Sequence, residues 1–167
     1  MKNVSEYIEH TLEPVYNEES KILILGTMPS PKSREFGFYY SHPQNRFWRV
    51  IADLLGQTVP KTNEEKTSFL LKNHIALWDV LKSCNIEGAD DSSIQNPVAN
   101  DFLPLLRETG IQTIFTTGVK ATALYKRLCA PVTGISSLSL PSTSPANCRH
   151  YSYESLLEHY RVILKYL

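Results

Sequence analysis

Three short apolar runs limit most strongly how this chain can fold: KILILGT at 21–27, HIALWDV at 74–80 and IQTIFTTG at 111–118. The first is continuous rather than alternating, the pattern of a strand buried on both faces in a parallel sheet; the second reads as another short buried strand and the third as a strand that ends in Gly. Stretches with helical spacing lie between them. Residues 45–55, NRFWRVIADLL, put Phe47, Trp48, Ile51, Leu54 and Leu55 on one face and stop at Gly56. Residues 63–73 read as a second helix, with Asn63 at its N-cap and Glu64 and Glu65 in its first turn. Residues 101–109 make a short helix, and 119–129 make another that starts directly after Gly118. The Ser-rich segment 132–142 is a weaker fourth strand. Residues 152–167 close the chain as an amphipathic helix, with Leu156, Leu157, Tyr160, Ile163 and Leu164 turned to the core. The polar stretch 83–102 lacks a strong period and reads as a long connecting loop. Strand and helix thus alternate four times. This predicts an α/β fold, a three-layer α/β/α sandwich around a four-stranded parallel sheet, as one domain over residues 1–167.

Composition narrows the function. The 17 basic residues balance 17 acidic ones, which weighs mildly against a nucleic-acid binder, although local placement of charge matters more than the sum. Cys84, Cys129 and Cys148 are an odd set without CxxC spacing, which argues against a disulfide framework, a zinc ribbon or a four-cysteine iron–sulfur cluster. Free thiols suit a reducing compartment. Residues 1–12 do not read as a secretory signal, and no apolar run approaches the ~18 residues of a membrane span. The expectation is a cytoplasmic protein, monomeric, with neither metal nor other cofactor.

Ligands of such sheets bind beyond the carboxyl ends of the strands. Four loops meet there: GTMPSPKS after the first strand, WDVLKSCN after the second, TTG after the third and LPSTSPAN after the fourth. In the first loop Gly26 permits an abrupt turn and Pro29 and Pro31 stiffen the chain beyond it, while Ser30, Lys32 and Ser33 offer donors to a phosphate. Neither a Walker loop nor GxGxxG is present. In the last loop Pro141 and Pro145 bracket Ser142, Thr143 and Ser144, a rigid stretch whose amides and hydroxyls can approach a phosphate closely. Either loop alone is equally a plain connector; two at one sheet edge are harder to dismiss. Between them stands GFYYSHPQNRFW, 37–48, dense in rings and hydrogen-bonding groups. Phe38, Tyr39 and Tyr40 cannot all point the same way if that stretch is extended, so at least one faces something other than core. Asn45 is either a helix cap or an amide offered to a water or a base, and His42 is a structural hydrogen-bonder or a catalyst. Asp79 ends the second strand at the ligand edge, as a pocket acid, a helix cap or a partner for Lys82. Asp90 and Asp91 read as a solvated turn.

Taken together, GTMPS, GFYYSHPQNRFW, WDVL and LPSTSPAN resemble the uracil-DNA glycosylase superfamily, most closely its hypoxanthine-DNA glycosylase branch; the mismatch-specific uracil branch shares the HPxNRFW string. The motifs run in order from residue 26 to residue 147. The resemblance implies a glycosylase that binds DNA containing a deaminated base, without metal or other cofactor. Where many branches carry an Asp or Asn that activates water, this chain has Met28, as the hypoxanthine branch does. The resemblance then makes Asn45 the catalytic amide and Tyr40 the ring that stacks on a flipped base, with Gly26, Met28 and Asp79 around that base. It implies that Ser30, Lys32, His42, Arg46, Ser142, Ser144, Asn147 and Arg149 contact DNA. The second motif lacks the His of the classical uracil enzymes, which speaks against strong uracil activity.

The chemistry fits those residues. Flipping a base costs a few kcal/mol, and stacking on an aromatic ring returns roughly 1–3 kcal/mol. A deaminated base has a carbonyl that spreads the charge of the departing anion, so positioned dipoles can suffice without a strong general acid. No Lys is placed for a Schiff base, so the expected product is an abasic site. Lys32, Arg34, Arg46, Arg49 and Arg149 fall in or beside the motif loops as a phosphate track. Arg149, His150 or Tyr151 could fill the gap left by the base. The alternatives are a uracil or xanthine glycosylase, a nucleic-acid-binding module that has lost catalysis, and a small-nucleotide hydrolase.

Overall fold

A computed structural model describes residues 4–167. In chain order its elements are β1 (Ser5–Glu9), β2 (Ile22–Gly26), α1 (Pro31–Phe36), α2 (Phe47–Leu55), α3 (Asn63–Lys72), β3 (Ile75–Asp79), β4 (Leu81–Glu87) and β5 (Asp90–Ala99). Then come α4 (Leu103–Glu108), β6 (Thr113–Thr117), α5 (Val119–Leu128), α6 (Ala130–Thr133), β7 (Ser137–Leu140) and α7 (Tyr153–Tyr160). Single 3₁₀ stretches cover Pro145–Asn147 and Arg161–Tyr166.

The central sheet is four-stranded and wholly parallel, in the order β3-β2-β6-β7. Every residue of β2 is buried, as its unbroken apolar run requires. Alternate residues supply two cores. Ile22, Ile24, Ile75, Leu77 and Phe115 face one side, packed against Phe47, Val50 and Ile51 of α2 and Leu156 and Tyr160 of α7. Leu23, Leu25, Ala76 and Ile114 face the other, against Leu105, Leu124 and Tyr125. Three layers result because a sheet with two apolar faces must be covered on both.

The structure corrects several expectations. Residues 83–102 are not a loop: β4 and β5 form an antiparallel hairpin that turns at Gly88 and joins β1 in a second, three-stranded sheet. Its outer strand β5 is polar and mostly exposed and its register is broken by irregularities, which erased the period-2 signal. The first loop contains a helix, α1, capped by Ser30, whose Oγ accepts the Ser33 N–H. The cap of α3 is Thr62, not Asn63; Asn63 donates instead to the carbonyl of Phe36. The segment 132–142 opens with the end of α6 before β7 begins. The last helix tightens to 3₁₀ after Tyr160, so Ile163 is buried but Leu164 turns out to solvent.

Candidate functional site

At the carboxyl edge of the parallel sheet, β2, β3 and β6 end in Gly26, Asp79 and Thr117, all on the α2/α7 face. Gly26 is there because nothing larger fits. A Cβ on it would stand 2.7 Å from Asp79 Oδ1, 3.3 Å from the Tyr40 hydroxyl and 3.7 Å from Thr117 Oγ1. Backbone, carboxylate, phenol and threonine hydroxyl therefore converge within a side chain's width.

Asp79 is buried, and its Oδ2 pairs with His10 Nε2 at 2.8 Å, both side chains almost fully enclosed. His10 lies 69 positions earlier, just past β1, and packs near the rings of Tyr39 and Trp78. The other oxygen, Oδ1, is the one facing Gly26. The Asp79 backbone carbonyl accepts from Asn100, so the strand end is held through both its side chain and its backbone.

The FYY stretch is a turn, not a strand, pinned by several hydrogen bonds. Trp48 Nε1 donates to the Tyr39 carbonyl at 3.1 Å, Ser41 Oγ to the Phe38 carbonyl at 2.7 Å, and the Tyr39 hydroxyl to the Glu13 carbonyl at 2.8 Å. Phe38 and Tyr39 are core; Tyr40 is only partly buried. These restraints leave Tyr40 with φ of 54°, a conformation a bulky residue adopts only when its surroundings impose it. One face of its ring stacks on Phe47, centroids 4.0 Å apart. Its hydroxyl reaches Thr117 Oγ1 at 3.5 Å. Burial, with Asp79 close by, pushes the phenol well above its ordinary range, so it stays protonated.

Asn45 precedes α2, and its Oδ1 accepts from the Phe47 N–H at 2.9 Å. It also accepts from the hydroxyl of buried Thr143, in the loop after β7, at 2.8 Å. A second tie between those segments is the Arg46 N–H on the Thr143 carbonyl. The loop itself is tightly wound: Ser142 Oγ accepts from the Ser144 N–H, and Asn147 Nδ2 donates to the Ser142 carbonyl at 2.8 Å.

The other expected site residues fall into two groups. Met28 packs, partly buried, against the core on the opposite sheet face, beside Thr27. His42 Nδ1 accepts the Gln44 N–H in the turn before α2. Ser30 is engaged as a cap, and exposed Lys32 pairs with Glu35 at 3.3 Å. Two expected phosphate contacts are relocated. Arg46 turns inward, donating to the Tyr151 carbonyl at 2.7 Å, and its Nε and Nη2 are enclosed. Arg49 lies over the Tyr153 ring, 3.8 Å from its centroid, and beside Asp53. Lys32, Arg34 and Arg149 remain, of which Lys32 and Arg149 are exposed; among the wedge candidates His150 is exposed and Tyr151 half-buried.

Sequence reasoning missed His10 and Asp91. His10 carries no local signal, since only the pairing of β1 with β4 brings it to β3. Asp91 is an exposed residue of the hairpin whose carboxyl turns in to accept from the Thr27 hydroxyl at 3.0 Å. Burial of that carboxyl pushes its pKa up, more than the hydrogen bond pulls it down. Thr117 and Thr143 lay in strand-end loops visible in the sequence; which hydroxyl turns inward was not visible. Among the described residues no cluster of three or more His, Cys, Asp or Glu side chains could hold a metal ion, and no helix is long and apolar enough to cross a membrane.

A parallel α/β sheet whose strand ends gather a glycine, a carboxylate and an aromatic ring suits a base-binding fold, and the sequence gives the class: the chain belongs to the uracil DNA glycosylase superfamily, whose family model matches residues 13–167. Two relatives carry the name hypoxanthine DNA glycosylase. One, from Methanosarcina acetivorans, is 37% identical over 144 residues, 85% of this chain and 90% of the relative. The other, from Methanosarcina barkeri, is 38% identical over 90 residues, 53% of this chain and 57% of the relative. The solution NMR structure of a proposed uracil DNA glycosylase from Methanosarcina acetivorans superposes with a TM-score of 0.78 at 31% identity, covering 95% of this chain and 99% of that one.

Proposed function

We propose that this chain is a monofunctional DNA glycosylase of base-excision repair that flips a deaminated base out of DNA and hydrolyses its N-glycosidic bond, with hypoxanthine as the preferred base. The observation that carries the reading is the convergence of Gly26, Tyr40 and Asp79, with the amide of Asn45 tied both to Phe47, on which the Tyr40 ring stacks, and to the loop after β7. The names of the two relatives support the choice of base.

The flipped base stacks on the face of Tyr40 that Phe47 leaves free, and the lack of a side chain at Gly26 lets Asp79 Oδ1 and the Tyr40 hydroxyl stand close together beside it. Asp79 Oδ1 is an acceptor for the edge of the base. Hypoxanthine offers a lactam N–H where adenine has a bare ring nitrogen, so a carboxylate there attracts the first and repels the second. Asn45 is the catalytic amide, and Met28, packed against the core on the other face of the sheet, takes no part in proton transfer. Ser142, Ser144 and Asn147 shape a loop that holds the DNA backbone together with Ser30, Lys32, His42 and Arg149. The protein acts as a monomer in the cytoplasm and needs no metal.

Uracil and xanthine carry the same lactam N–H, and Asp79 favours them by the same argument, which makes them the second reading. A direct test incubates the protein with duplexes containing inosine, uracil, xanthine or only normal bases and then cleaves abasic sites with alkali. Strand breaks at inosine are expected. Breaks only at uracil would transfer the assignment to that base, and none at any lesion would refute glycosylase activity.

A further inference from the structure

The amide of Asn45 has two different ends, and the fold commits one of them. Oδ1 receives two donors, the Phe47 N–H at 2.9 Å and the Thr143 hydroxyl at 2.8 Å. A peptide N–H can only donate, so the atom facing Phe47 must be the oxygen, and the hydrogen bonds fix the orientation of the amide. Nδ2 has no hydrogen-bond acceptor among the described residues, and it is not one of the sealed, unpartnered atoms. The open end of Asn45 is thus a donor.

Its position is tied to the ring that would carry the base. The Phe47 N–H holds Asn45, while the Phe47 ring stacks under Tyr40 at 4.0 Å. One residue therefore sets the register of amide and stacking ring together. A base lying on Tyr40 is placed relative to Asn45 by two contacts to the same residue, one to the Phe47 backbone N–H and one to the Phe47 ring, and Phe47 is completely buried.

We infer that Asn45 acts on the departing base and not on the attacking water: Nδ2–H donates to the base carbonyl, O6 of hypoxanthine, as negative charge gathers there. An amide N–H cannot take a proton from water, and the oxygen that could accept one already has two donors. The inference rests on the glycosylase reading above. In the step itself the C1′–N9 bond breaks and its electron pair goes to the base, spread over the ring nitrogens and O6. Water oxygen bonds to C1′ and releases a proton to solvent, and the hypoxanthine anion takes one from solvent. The donor contributes because it is in place before the charge forms.

Asn45→Asp separates the two roles. A carboxylate accepts from both Phe47 and Thr143, so the turn is kept, but it puts an oxygen where the donor was. Single-turnover cleavage of an inosine duplex, at enzyme concentrations that saturate binding, should fall on the order of 10²–10³-fold, the loss typical of removing one such donor. A rate equal to or above wild type would overturn the inference, because a residue that accepts from water gains by becoming a carboxylate. Should the Asp variant not fold, binding of wild type and Asn45→Ala to non-cleavable 2′-fluoro nucleotides decides instead. Asn45→Ala should weaken binding of the hypoxanthine nucleotide and leave that of unsubstituted purine, which lacks O6, unchanged; equal losses would contradict the assignment. Wild-type protein inert on inosine would refute the glycosylase reading itself, a result distinct from either.

Discussion

The hydroxyl of Thr143 donates to the side-chain oxygen of Asn45 across 98 positions of sequence, at 2.8 Å. This bond joins the turn before α2 to the loop after β7. It makes one unit of two segments that are separate connectors in the sequence. Thr143→Val keeps the shape and removes the donor. It should cost about 1 kcal/mol of stability and lower the single-turnover rate on inosine, while Thr143→Ser restores both. If Thr143→Val changes only the melting temperature, Thr143 is structural and does not position Asn45.

Gly26→Ala tests the convergence directly. The new Cβ meets Asp79 Oδ1 at 2.7 Å, closer than such contacts tolerate, and that oxygen belongs to a buried carboxylate already paired with His10. Overpacking of this kind costs roughly 1–3 kcal/mol. The variant should melt lower and lose affinity for a duplex carrying non-cleavable 2′-fluoroinosine. Full affinity would mean that the base does not bind over Gly26.

Tyr40→Ala should weaken the same affinity by an amount corresponding to about 1–3 kcal/mol, the usual worth of one base–aromatic stack. Tyr40→Phe should keep most of it, because the ring remains on Phe47 and only the long contact to Thr117 is lost. Equal affinity of wild type and the Ala variant would remove Tyr40 from the site.

Much of this arrangement is legible in the sequence, and the remainder is not for a definite reason. β2 is a continuous apolar run because both faces of the sheet are covered, and β3 and β6 beside it are short, mostly buried strands. Asn45, Asp79 and Gly26 could be placed because they sit at strand and helix ends within those patterns. The hairpin β4–β5 was hidden by its polar outer strand and broken register. His10 could not be read because it reaches the site through the pairing of β1 with β4, strands distant in sequence, and Asp91 because its carboxyl turns in from a polar hairpin strand to Thr27, 64 positions away. The inward turn of Arg46 was likewise invisible, since its partner Tyr151 is 105 positions away.

Asp91 offers a test of that hidden connection by pH. Its carboxyl has a raised pKa in the folded protein, so the folded state holds the proton more tightly than the unfolded chain does. The stability it contributes is fully present below the unfolded carboxyl value, about 4, and is lost as pH rises through the folded value. Asp91→Asn removes this loss while keeping an acceptor for Thr27. The variant should melt above wild type near pH 7, with the difference vanishing as the pH approaches about 4. A variant that melts lower at neutral pH would show that the ionised carboxylate is a net stabiliser.

The central claim is that this site expels a deaminated purine intact. The most direct measurement is mass spectrometry of the small molecules released from an inosine duplex, beside an Asn45→Ala control of unchanged fold. The account predicts free hypoxanthine, in amounts matching the abasic sites formed, from wild type and a sharply reduced yield from the control. No free base from wild type, or equal yields from both proteins, would contradict it.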